Sequence, residues 1–318
     1  MIRGLFWNEN EQRVRFGWRI IGQLLLWLIF TGLATSLLVP EAGQLVQGGS
    51  MSFSAAPVFF RVSLASLVGY VISIWLAGRF LDRRPFAEFG LRLGRAWWTD
   101  FAFGLALGAS MIAVIFLIEW AAGWVTITET FRAAGDLSFG GAFLLALGAF
   151  ACIGIYEELA FRGYYLTNTA EWLGGFGAVS HRGAVVVATV ITAVIFGVLH
   201  AANPDATLVS TFNIVITGAW FLAIGYVLTG SLAIPIGLHI AWNFVQGNVF
   251  GFPVSGIGAN ATTVIAVEQS GPAWVTGGEF GPEAGVLGLA ATLVGGALVV
   301  LWVRWREGRA GVCEAIAE

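Results

Sequence analysis

The stretch Phe139 to Tyr156 contains no charged residue and no proline, and it is one of eight long apolar runs along the chain. A helix that crosses a bilayer needs about 20 apolar residues. Runs of that length lie near residues 19–39, 58–80, 100–121, 139–165, 184–203, 208–229, 231–250 and 284–303. They are continuous rather than alternating, which argues against a membrane β-barrel. Only 11% of the residues are charged and the mean hydropathy is +0.82, whereas soluble domains carry about 25% charge. The expected fold is all-α: a polytopic transmembrane helical bundle of about eight spans, forming a single membrane domain over residues 1–318. A formal net charge of −3 gives no reason to expect a nucleic-acid partner. The partner that composition does imply is the lipid bilayer. Cys152 and Cys313 are too few and too far apart for a disulfide framework or a thiolate metal site.

Arginine placement sets an orientation. Arg3, Arg13, Arg15 and Arg19 precede the first run, Arg79, Arg83, Arg84, Arg92 and Arg95 follow the second, and Arg304, Arg306 and Arg309 follow the eighth. The intervening loops hold almost none. Both termini are therefore expected in the cytoplasm, with Arg83 and Arg84 acting as orientation signals. The N-terminal segment reads as an uncleaved first helix. Residues 251–285, rich in Gly, Pro, Ser and Thr, read as a non-cytoplasmic loop with room to be partly re-entrant. Seven tryptophans, among them Trp18, Trp27, Trp97 and Trp98, read as interfacial anchors.

Ionisable side chains inside membrane spans are expensive and mark function by default. Here they concentrate in three runs as Glu157, Glu158, Arg162, His200, His239 and Asn243. Glu158 and Arg162 are one helical turn apart and can pair. Glu157 then sits about 100° around the helix, free to face a cavity. Phe196 and His200, and His239 and Asn243, repeat the same spacing. In an antiparallel hairpin Glu157 and His200 reach similar depth. His239 is only a few residues into its own run and is expected to be shallower, unless that helix starts later or breaks at Pro235.

A carboxylate and a histidine facing one water are the parts of a general-base site, and a His–Asn pair opposite can hold an oxyanion. The chemistry suggested is amide hydrolysis by activated water. Two histidines and a carboxylate can also hold a divalent metal such as zinc. The ligands would be Glu157, His200 and His239, although no His-Glu-x-x-His helix is present.

At these residues the chain resembles the CPBP family of intramembrane proteases, which includes the type II CAAX prenyl endopeptidases. The family pattern stands here as Glu157-Glu158-Leu-Ala-Phe-Arg162, Phe196-Gly-Val-Leu-His200 and His239-Ile-Ala-Trp-Asn243, in order, with the core over residues 139–250. Looser likenesses cover Leu81 to Gly90 and Gly281-Pro-Glu283. The resemblance implies an intramembrane endopeptidase of a prokaryotic plasma membrane, a hydrolase of either metalloprotease or glutamate type. Glu157 would activate water with His200, His239 and Asn243 would stabilise the oxyanion, and Glu158, Arg162 and Phe196 would support the site. The site would open towards the cytoplasm, and the substrate would be a membrane-associated peptide or protein, in some relatives lipid-anchored.

Each motif also has a bland reading. Glu158–Arg162 could staple a helix end, His200 could cap its helix, His239 and Asn243 could glue helices together, and Phe196 packs whatever the function. A proton-coupled transporter could use the Glu–His cluster as a relay, but no internal repeat is present. A non-catalytic membrane partner would tolerate loss of Glu157. His181 reads as a loop residue without a role.

Overall fold

A computed structural model describes residues 3–9, 11–42, 56–175, 177, 179–257 and 262–318. Seven of its helices are long and apolar enough to cross a membrane. They are α1 (Phe16–Leu38), α2 (Ala56–Asp82), α3 (Arg95–Ala121), α4 (Phe139–Gly174), α5 (His181–His200), α6 (Leu208–Thr229) and α8 (Val286–Glu307). The remaining run, 231–250, forms a shorter helix, α7 (Ala233–Phe244), extended by a π-helical turn over Val245–Val249. The chain is thus an all-α integral membrane bundle. Its one long strand pair, β1 (Val125–Arg132) and β2 (Thr263–Gln269), is antiparallel and lies outside the spans.

Local chemistry sets the helix ends. The Ser138 and Ser180 side chains accept from the Gly141 and Gly183 amides at the starts of α4 and α5, supplying acceptors for amides that lack helical partners. Thr207 and Ser210 form a reciprocal capping box before α6. Gly230 ends α6 in the left-handed region, at φ +66°, where a side chain would be strained.

Every residue from Ala233 to Trp242 of α7 is buried. Glycines allow this. A Cβ on Gly104 or Gly108 of α3 would lie 2.5 Å from the Ile234 or Leu238 carbonyl oxygen, and one on Gly237 would lie 2.3 Å from that of Phe101. Two backbones in direct contact, with no side chains between them, pack tightly without a hydrophobic driving force, which lipid does not supply.

The same packing corrects the depth expected for His239. Helix α7 is buried from its first residue, and it does not break at Pro235, which lies in its first turn. The segment after α2 folds inward, so that Leu232 N–H donates to Gly90 O at 3.0 Å. A Cβ on Gly163 would lie 2.8 Å from Phe89 O. The start of α7 is therefore held at the level of Gly163, well along α4, and the sixth residue after it meets Glu158.

Both termini lie at one end of the bundle. There Glu171 of α4 pairs with Arg13 at 2.9 Å, with Arg19 at 3.3 Å and with Arg84. Asp82 pairs with Arg19 at 3.1 Å and accepts from the Tyr164 hydroxyl at 3.0 Å. Arg84 is thus an ion-pair partner of a buried carboxylate, and Arg83 stacks over Trp7 at 4.8 Å. His181 is not a loop residue: it opens α5, 3.7 Å from the Glu318 carboxylate. Trp97 is buried rather than interfacial.

Candidate active site

Helix α4 does not stay α-helical through the first motif. It widens into a π-helical stretch at Leu159–Leu166, immediately after the paired glutamates. Such stretches recur at functional sites because they re-aim side chains that a regular helix would space evenly. Here Arg162 lies within the widened turn. Its NH1 donates to Glu158 Oε1 at 2.9 Å and its NH2 to the Gly218 carbonyl of α6 at 3.0 Å. Its guanidinium lies 4.7 Å above the Phe196 ring. The sequence-predicted pair therefore forms, and Phe196 is the packing surface beneath its cation.

Glu158 Oε1 has a second partner, His239 Nδ1 at 2.7 Å. A carboxylate oxygen only accepts, so Nδ1 carries the proton and Nε2 is the histidine's second nitrogen. That Nε2 lies 3.8 Å from Glu157 Oε2. His200 repeats the arrangement: its Nδ1 lies 2.8 Å from the Phe196 carbonyl, so this nitrogen also donates, and Nε2 is left for the cavity. Glu158 is fully buried, whereas the Glu157 side chain keeps 19% exposure. Glu157 Oε2 has no hydrogen-bond partner in the protein.

Glu157, Phe196, His200, His239 and Asn243 line one cavity of about 370 Å³. Glu158 and Arg162 sit behind it. Three helices that are distant in sequence thus bring all seven predicted residues to one place, five on the wall and two supporting it. Stacked Tyr70 and Tyr156, at 5.2 Å, and Trp27 complete an aromatic side of the cavity. Trp27 is therefore a cavity residue, not an interfacial anchor.

The remaining wall comes from Phe59, Val62 and Ser63 near the start of α2, from Asn203 after α5, and from Val254, Ser255, Ile257 and Glu283 in the long loop. All lie towards the end opposite the termini. The inward fold at Gly90 and Leu232 packs on Gly163, towards the terminus-bearing end of α4. The long loop is indeed re-entrant in this sense: two of its segments return to the cavity.

Glu283 is the site residue that the three motifs do not reveal. It is buried, and burial pushes its carboxyl up to about 7, against hydrogen bonds from Gln246 and Ser255 that pull it down. The signal was a carboxylate set among glycines in Gly277-Gly-Glu-Phe-Gly-Pro-Glu283. There the backbone must turn tightly: Gly281 has φ +112°, and a Cβ on it would lie 2.6 Å from Glu283 Oε2.

Among the described residues, no three His, Cys, Asp or Glu side chains converge closely enough to hold a metal ion. Glu157, His200 and His239 therefore do not form a ready metal centre, and His239 directs only one nitrogen at the cavity.

A polytopic bundle with a carboxylate–histidine cavity between its helices is the class of protein these features define. Residues 139–245 match the family described as type II CAAX prenyl endopeptidase, Rce1-like. The resemblance drawn from the three motifs therefore holds for this core. The chain is also 27% identical over 179 residues to YyaK of Bacillus subtilis strain 168, described as an uncharacterized protein. That likeness covers 54% of each chain, so the chain spans about half the length of the curated relative it matches. No solved structure matches the chain.

Proposed function

We propose that the chain is an intramembrane endopeptidase of a prokaryotic plasma membrane, with both termini cytoplasmic, which hydrolyses a peptide bond of a membrane-associated peptide or protein. The observation that carries this reading is the division of labour between adjacent glutamates. One oxygen of Glu158 is taken by both Arg162 and His239, and the side chain is fully buried behind the cavity. Glu157 is left with an unpartnered oxygen on the cavity, 3.8 Å from His239 Nε2.

In this mechanism Glu157 takes a proton from a water that attacks the scissile carbonyl, and His200 Nε2 orients that water. The bond from water oxygen to carbonyl carbon forms as the proton passes to the carboxylate. Asn243 faces the developing oxyanion as a donor, and His239 joins it when Nε2 carries a proton. Collapse of the intermediate breaks the C–N bond, and Glu157 returns its proton to the leaving amine. Glu158 and Arg162 hold the His239 ring in place. No step requires a metal.

The test is to incubate purified protein in liposomes with membrane-anchored peptides in oxygen-18 water and read the fragments by mass spectrometry, with and without chelator. Cleavage should place the label in the new carboxylate. Glu157→Gln should lower turnover by at least about a hundredfold and leave thermal stability unchanged. Turnover by Glu157→Gln equal to that of the unaltered protein would remove Glu157 from the mechanism. Loss of cleavage in chelator, restored by added zinc, would move the reading to a metalloprotease.

A further inference from the structure

Three segments meet at the rim of the cavity beyond His200: the turn 201–207, the loop 250–257 and the stretch 278–285. Glu283 lies at the centre of their hydrogen bonding. Its Oε1 accepts from Ser255 N–H at 3.2 Å and from the Ser255 hydroxyl at 3.3 Å, and its Oε2 accepts from Gln246 Nε2 at 2.8 Å. Ser255 is held at φ +47°, a left-handed conformation that strains a residue with a Cβ, so it persists only because its surroundings impose it. In that conformation the Ser255 carbonyl accepts from Asn203 Nδ2 at 2.9 Å. Asn203 in turn donates its backbone N–H to the His200 carbonyl at 3.1 Å. The same contact is reinforced at Gly256, where a Cβ would lie 2.0 Å from Pro204 O.

We propose that Glu283 is a positioning residue for the reaction: through Ser255 and Asn203 it fixes the turn that follows His200, and so the place of the His200 ring in the cavity. The role rests on the protease reading above but makes no contact with substrate. A carboxylate is suited to it, because it accepts from a backbone amide, a hydroxyl and an amide side chain at once. Glutamine at 283 would bring its NH2 group against Gln246 Nε2, which is already pinned by the Pro253 carbonyl at 2.5 Å.

The experiment compares Glu283→Gln, Asn203→Ala and the double variant, each purified as the full chain. Misplacing a catalytic group by about 1 Å costs on the order of a hundredfold in rate. Each single variant should therefore lose ten- to a hundredfold in kcat with KM little changed, and the double variant should lose no more than the worse single. In parallel, hydrogen exchange over residues 201–207 and carbethoxylation of His200 should both speed up in Glu283→Gln. These two readouts need no substrate. If the unaltered protein cleaves nothing, the protease reading fails while the link from Glu283 to His200 is still decided. Unchanged exchange and carbethoxylation overturn the proposal, as do losses that multiply in the double variant. If Glu283→Gln does not fold, Asn203→Ala carries the test alone, and full turnover with unchanged exchange in that variant rejects it.

Discussion

Two clusters of buried charge lie along α4, about one third of the helix apart, and they differ in one respect. At the terminus-bearing end, both oxygens of Glu171 and both oxygens of Asp82 have partners, drawn from Arg13, Arg19, Arg84 and Tyr164. At the cavity, one oxygen of Glu158 is held by Arg162 and His239, while its other oxygen and one oxygen of Glu157 have no hydrogen-bond partner in the protein; Glu158 is fully buried and Glu157 faces the cavity. Burying a charge is costly unless it is paired. The first cluster meets that requirement and joins the N-terminal segment, the end of α2 and the end of α4. The second meets it for one oxygen of Glu158 and leaves Glu157, the more exposed of the two, to the cavity. Complete pairing marks a fastening; an unpartnered carboxylate on a cavity beside histidine nitrogens marks chemistry.

The sharpest way to break this comparison is to disable one acid from each cluster. Glu171→Gln should cost about 3–5 kcal/mol, the range for breaking a buried ion pair, seen as a lower thermal midpoint in detergent. Turnover per folded molecule should persist, the reverse of the pattern expected for Glu157→Gln. Equal effects of the two substitutions on turnover would erase the distinction. Glu158→Gln belongs to both categories. It frees Arg162 and loosens His239, so stability should fall by about 3 kcal/mol and turnover by at least tenfold, read from paired melting and cleavage curves.

Packing offers a milder probe. A methyl group at Gly108 meets the Leu238 carbonyl at 2.5 Å, so Gly108→Ala must separate α3 from α7. Overpacking of this kind costs about 1–3 kcal/mol. Because His239 rides on α7, cleavage should drop as well, whereas Gly17→Ala, whose Cβ would meet nothing within 4 Å, should leave both unchanged.

The smallest effect concerns pH. The Glu283 carboxyl is pushed up to about 7 from its ordinary 4.5, so between those values the folded protein holds a proton that the unfolded chain has released. Stability from this group is fully present below the unfolded value and is lost as pH rises through about 7. Against Glu283→Gln, which cannot titrate, the melting midpoint of the unaltered protein should decline between pH 5 and 8. A constant offset across that range would show that the carboxyl is not buried as described.

Much of this was legible in the chain. Apolar runs announce a membrane bundle, because a bilayer tolerates backbone only when its hydrogen bonds are satisfied within a helix. The motif spacings put Glu158 and Arg162, and likewise Phe196 and His200, one turn apart, and those contacts form. The depth of His239 was not legible. It depends on Gly90, Gly163 and Leu232 meeting across three separate segments, and no periodicity encodes that. Glu283 was hidden for a similar reason: its loop has no helical repeat to place it, and only its glycines hinted at a tight fold. The loop residues on the cavity wall, Ser255 and Glu283 among them, were likewise set by which loops fold inward.

The sequence by itself determined the class of fold, the helices that carry the ionisable groups and the pairs that share a helix face, because hydropathy and the 3.6-residue repeat act locally. Tertiary structure decided which glutamate is spent on support and which faces water, how deep α7 begins, and that a distant loop glutamate reaches the rim beside His200. Those outcomes depend on contacts between distant segments, such as Leu232 with Gly90 and His239 with Glu158, which close glycine packing helps to fix and no local pattern can specify.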